Sequence, residues 1–225
     1  RLVSDWSSDV CSSDLLELKY SATRTMDDDA AKNNLQSHEV KVEYGLTGRW
    51  ELGVSGEFEN EANESTKLRS FETAVKYQMA EQGEHWLDPG ISLSYSRALY
   101  GGEADVVKAR ALLQKESGPF MHRANFILKQ QVGRYAARGL ARDVRWSSRY
   151  RLGSAFEPGF EIQSALGRTA QSKSFNQQEH YIGPSAYGKL PPGLKYELAW
   201  LVGISDAASS SNARLRISYD FPLGD

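Results

Sequence analysis

Cysteine is almost missing from this sequence, and so is any long apolar run. The 225 residues hold one cysteine, Cys11. A single thiol excludes a disulfide framework and any multi-cysteine metal site. No stretch approaches the roughly 18 consecutive apolar residues that a membrane helix needs, and the mean hydropathy is −0.54. An α-helical membrane protein is thereby excluded. A surplus of one charge is missing too. The 27 Lys and Arg against 29 Asp and Glu leave a net charge of −2, which offers no electrostatic ground for a nucleic-acid partner. Proline is scarce at 7 residues, while 40% of the chain is hydrophobic and 11% aromatic. That composition excludes wholesale disorder.

Familiar catalytic motifs are absent as well. None of His38, His85, His122 and His180 has a second His or Cys at metal-ligand spacing, and no H-E-x-x-H occurs. There is no G-x-S-x-G and no phosphate-binding glycine loop; Gly53-Val-Ser-Gly56 is a set of small residues in a strand. Neither a catalytic residue nor a metal site nor a cofactor is expected. A Ser–His pair can still be assembled across strands, since such sites are recognised by geometry and not by spacing. His122 and His180, with a strand serine, are its candidate members. Asp27-Asp-Asp29 puts three carboxylates in one loop. Such a run either attracts Ca²⁺, or bridges lipopolysaccharide through divalent ions, or is simply a solvated loop. Asn63-Glu-Ser65 matches a glycosylation acceptor, on which nothing is built.

What is present begins with a foreign-looking leader. Arg1 to Leu15 reads RLVSDWSSDVCSSDL. The part DWSSDVCSSDL resembles a translated sequencing-adapter oligonucleotide; the alternative is a Ser/Asp-rich leader. Either way residues 1–15 are set apart from the fold. The other 210 residues carry 26 basic and 26 acidic groups and no cysteine. They contain no linker and read as one domain, 16–225.

In that domain the dominant period is two. Leu16-Glu-Leu-Lys-Tyr-Ser-Ala-Thr23, Val40-Lys-Val-Glu-Tyr44, Trp50 to Phe58 and Ala213 to Phe221 alternate apolar with polar. Alternation makes a strand with one apolar and one polar face. Twelve segments qualify: 15–25, 37–46, 50–59, 67–80, 89–99, 105–116, 120–132, 143–153, 159–168, 179–190, 194–204 and 212–221. Residues 105–115 and 122–132 also satisfy a helical pattern, and the Ser117-Gly-Pro119 breaker between them favours a hairpin. Connections alternate between short turns and longer polar loops, with Gly101 to Ala104 the exception. Short turns on one side and long loops on the other are the layout of an outer-membrane barrel. Strands of this length also suit a tilted bilayer crossing.

The polar face of these strands is strongly charged. Strands two to four present mainly glutamates, among them Glu39, Glu43, Glu51, Glu57 and Glu72. Strands six to eight present bases: Lys108, Arg110, Arg123, Lys129, Arg145, Arg149 and Arg151. In a closed barrel the two walls are expected to face each other across the lumen. Two outcomes are physically open. The charges pair and plug the interior, or they line a wet passage with a transverse field. Aromatics beside the short turns (Trp50, Trp86, Phe120, Phe156, Phe160 and Phe221) have the placement of an interfacial girdle.

Several of these stretches together resemble a known family. They are Trp50 to Glu57, Gln114 to Asn125, Tyr150 to Phe160, His180 to Pro184 and Gly193 to Ile204. The chain resembles the "MetA-pathway of phenol degradation" family of bacterial outer-membrane proteins over most of 40–221. The resemblance implies a transporter of largely unassigned substrate and brings no catalytic residues to carry over.

The reading is a closed, all-β antiparallel barrel of about twelve strands in the outer membrane of a Gram-negative bacterium. Its expected function is a passive channel for small solutes, with lipid and lipopolysaccharide as surroundings. Glu43, Glu51, Glu57 and Glu72 form the expected acidic pore lining, and Arg110, Arg123, Arg145 and Arg149 the basic one. The alternatives are a plugged structural or adhesive barrel, an outer-membrane lipid hydrolase with Ser and His on adjacent strands of the outer rim, and a soluble barrel.

Overall fold

The computed structural model describes residues 15–29, 32–60, 66–81 and 83–222. Most of the adapter-like leader and the Asn63-Glu-Ser65 acceptor lie outside the described residues. Leu15, the last leader residue, belongs to the fold as the first residue of a strand.

Alternation becomes strands along the whole described chain: β1 (Leu15–Met26), β2 (Gln36–Gly45), β3 (Trp50–Asn60), β4 (Lys67–Gln78), β5 (Asp88–Ala98) and β6 (Asp105–Ser117). They continue as β7 (Phe120–Val132), β8 (Ala141–Tyr150), β9 (Glu157–Arg168), β10 (Glu179–Leu190), β11 (Leu194–Gly203) and β12 (Ser211–Pro222). A single 3-10 turn at Phe175–Gln177 interrupts the β9–β10 loop. Each strand pairs antiparallel with its chain neighbours, and β1 pairs with β12 from Leu15↔Pro222 to Met26↔Ser211, which closes the ring. Closure leaves no edge strand with unpaired backbone groups.

Both segments with a double periodicity are strands. Ser117 pairs with Phe120 across a tight turn. Gly118 takes φ +57° there, a left-handed conformation that costs a glycine nothing. β8 differs from the sequence reading of 143–153: it starts at Ala141 and stops at Tyr150. The stop has a local cause. The Arg151 amide donates to the Pro119 carbonyl, and its guanidinium donates to the Gly118 carbonyl and pairs with Glu116. Arg151 therefore clasps the neighbouring turn and is not part of the β8 wall.

The two faces are the reverse of a soluble protein's. Inward positions are polar and buried: Glu17, Lys19, Lys41, Glu43, Arg110, Arg123, Arg214 and Arg216 among them, with Arg145 at 1% and Glu161 at 0% exposure. Outward positions are large and apolar. Val54 is 55% exposed and Leu93 54%, and Leu18, Val42, Leu52, Phe126, Leu128, Leu198 and Trp200 are exposed with them. In water such a surface forfeits about 25 cal/mol per Å² of apolar area. In a hydrocarbon layer it forfeits nothing. The soluble-barrel alternative fails on this inversion, and the architecture is that of a transmembrane barrel. The expected girdle aromatics Trp50, Trp86, Phe120, Phe156, Phe160 and Phe221 are all exposed. Ring contacts with Tyr77, Tyr150, Trp146 and Tyr219 extend the band.

Candidate functional site: the charged interior

One side of the interior is packed except for a pocket of about 300 Å³ among the long loops, bounded by Thr23, Ser37, Tyr181 and Asn212, and the other side is hollow. Near the short turns, Lys19 binds Glu43 and lies 2.8 Å from Glu17. Lys41 lies 2.8 Å from Glu43, and Lys195 lies 3.0 Å from Asp220. Acids and bases alternate in space in this cluster, so Glu17, Lys19, Lys41 and Glu43 each have an opposite charge in reach.

Midway, Glu161 of β9 ties the barrel crosswise. Arg214 of β12 donates to both its oxygens at 2.6 and 2.8 Å, and the Tyr187 hydroxyl donates at 2.6 Å. Two strands intervene, and their inward side chains there are small: Gly183, Ser185 and Ala199. That is why an arginine can reach across. β10 and β11 also approach closely, since a Cβ on Gly183 would sit 2.0 Å from the Trp200 carbonyl oxygen.

At the long-loop end the β11–β12 loop turns inward. Ala208 packs on Tyr181, Ala199 and Leu201. The Ser209 amide donates to the Tyr181 hydroxyl at 2.9 Å. The Ser210 amide donates to Asp27 at 3.2 Å, and the Ala207 amide donates to the Asn176 carbonyl at 3.0 Å. Asp27, from the acidic cluster, thus ties two loops together; among the described residues no group of three or more metal-binding side chains forms.

The other side, from β3 to β8, holds a vestibule of about 590 Å³ that opens among the long loops. Glu57, Glu72, Lys108, Arg110, Lys129 and Arg145 are in its lining. Below it lies a remnant of about 10 Å³ between Lys41, Glu43, Glu51, Lys76, Ser92 and Arg110. β5 separates these groups and, beyond Asp88 at its short-turn end, is lined inward by Gly90, Ser92, Ser94, Ser96 and Ala98.

All eight expected lining residues lie on the inward face, but not as two walls of one sign. Glu51 binds Lys76 at 2.9 Å and Glu72 binds Lys108 at 2.9 Å. Glu43 is held by Lys19 and Lys41, and Glu57 accepts from Ser37 and Ser70 at 3.3 and 3.4 Å. On the basic side Arg123 donates to Gln114 at 3.0 Å, and Arg149 pairs with Glu157 at 3.1 Å. Asp143 intrudes on β8 and pairs with Lys129. The ring order corrects the expected opposition. β3 and β7 are a third of the circumference apart, so the two groups flank β5 instead of facing each other. Lys108 reaches Glu72 over that strand because serine leaves the space. The serine face was readable by parity as a strand whose inward side, from Gly90 to Ala98, carries nothing longer than serine; charge alone did not point to it.

The structure also forms the Ser–His pair that the hydrolase alternative requires. His180 Nδ1 is 2.9 Å from Ser164 Oγ, on adjacent strands of the outer wall near the long loops. Phe175 stacks on the imidazole at 4.1 Å, leaving it 7% exposed. Among the described residues its Nε2 is buried without a hydrogen-bond partner. The pair closes the β9–β10 rim. His122, the other candidate, stacks between Phe120 and Trp146 in the girdle.

No known protein family and no curated protein matches this sequence. Solved structures do match in fold. The KdgM porin superposes with a TM-score of 0.62 at 8% identity, covering 91% of this chain and 99% of that one. The NanC porin gives 0.62 at 10% identity, covering 92% and 100%. An outer membrane channel from Pseudomonas putida F1 gives 0.63 at 12% identity, covering 93% and 96%. The chain therefore has the twelve-stranded fold of porin-like outer-membrane channels.

Proposed function

We propose that this protein is a passive channel for small hydrophilic solutes in the outer membrane of a Gram-negative bacterium. The observation that carries the reading is the charged vestibule of about 590 Å³ inside an apolar jacket. Lipid and lipopolysaccharide would cover that jacket, and solutes would enter among the long loops. Glu43, Glu51, Glu57 and Glu72 on one flank of β5, with Arg110, Arg123, Arg145 and Arg149 on the other, set selectivity in this reading. A second structure of the KdgM porin holds disordered oligogalacturonate, and a lumen of this kind suits a hydroxylated, charged solute better than an apolar one.

The test is a planar-bilayer recording with reversal potentials in a salt gradient. Replacing the four arginines with serine should shift selectivity toward cations. An unchanged reversal potential would sink the lining assignment. The remnant of about 10 Å³ below the vestibule favours one second reading, a plugged structural barrel. That reading expects a silent bilayer from protein whose heat-modifiable gel migration shows a folded barrel.

A further inference from the structure

Two cavities lie one above the other along β5: the vestibule of about 590 Å³ and the remnant of about 10 Å³ near the short turns. Among the described residues, Arg110 alone lines both. Its strand neighbour on β5 is Ser92, so no bulky side chain stands behind it in that direction. On the far side the Glu51–Lys76 pair, 2.9 Å long, bounds the lower cavity. The other half of the interior is obstructed at three levels, by the Lys19–Glu43 cluster, the Glu161–Arg214 tie and the inturned β11–β12 loop.

We propose that Arg110 is the gate of an off-centre passage that follows the serine face of β5 from the vestibule to the short-turn end. The inference rests on the channel reading and adds where the path runs and what closes it. In this proposal the long Arg110 side chain exchanges its present contacts for a rotamer over the small Ser92, which joins the two cavities. The guanidinium stays charged at any physiological pH. The gate therefore acts as a fixed cation at the narrowest point, admitting anions more readily than cations.

Single-channel recordings of the intact chain and its variants test this. Arg110→Ser should raise unitary conductance by about twofold or more and weaken anion preference, as expected when a charged constriction is opened. Arg110→Lys should stay near the parent. Ser94→Trp, which fills the serine face, should cut conductance to less than about half on the same ground. It decides the matter if Arg110→Ser does not fold. Arg216→Ser, in the filled half, should leave conductance unchanged. A silent parent with a conducting Arg110→Ser supports the gate and means that the resting channel is shut. A conducting parent with unchanged Arg110→Ser and Ser94→Trp variants overturns the gate and leaves the channel reading standing. Silence from every folded variant overturns both.

Discussion

Cutting the crosswise tie at Glu161 should cost more stability than any other single interior change. The carboxylate is fully buried and accepts two bonds from Arg214 and one from Tyr187. Hydrogen bonds to charged groups contribute about 1.5–3 kcal/mol each. Removing one partner of a buried ion pair strands the other, at a cost of about 3–5 kcal/mol. Glu161→Ala and Arg214→Ala should therefore each lose about 3–5 kcal/mol on that basis. The double variant strands no buried charge, although the Tyr187 hydroxyl and the Gln163 amide lose their acceptor, so its loss should fall short of the sum by about 3 kcal/mol, the upper end for directly contacting residues. Urea unfolding from lipid vesicles, followed by tryptophan emission, measures all three; Trp50 and Trp200 face outward and report departure from the lipid. Single losses below about 1 kcal/mol, or a double variant additive within about 0.5 kcal/mol, would refute the tie as a structural element.

Two further outcomes follow from the same structure. Leu93→Arg, on the outward face of β5, should destabilise the barrel in vesicles by about 2–4 kcal/mol if it lies at the bilayer midplane; equal stability of parent and variant would argue against a lipid-facing wall. Gly183→Ala should sharply lower the folded yield, because the new methyl meets the Trp200 carbonyl at 2.0 Å; a normal yield of heat-modifiable barrel would show that β10 and β11 are not pressed together there.

Strand number and facing were legible because period-two alternation is a property of single residues in order. Leu16 to Thr23 and Trp50 to Phe58 state their faces outright, and burial follows them. The break at Tyr150 was not legible, because it depends on Arg151 meeting Gly118 and Pro119 of another turn. The charged lining was half legible. Parity sends Glu72 and Arg145 inward, but who pairs with whom is decided by which intervening strand is lined with small groups. Glu161 finds Arg214 across Gly183 and Ala199, and Glu72 finds Lys108 across the serines of β5. Reading the glutamates and arginines as two facing walls overlooked the lysines interleaved among them and the arc that ring order imposes.

The β1–β12 seam carries a kinetic consequence. Its twelve partner pairs join residues near opposite ends of the described chain, from Leu15↔Pro222 to Met26↔Ser211. Every other pairing is a hairpin between sequence neighbours and can form locally. The seam cannot, because its loop-closure entropy is the largest in the molecule. Until it zips, β1 and β12 each present a row of unsatisfied amides and carbonyls that hydrocarbon does not tolerate. Membrane entry and ring closure are thus one event for this chain, and substitutions in the seam should slow assembly before they weaken the finished barrel.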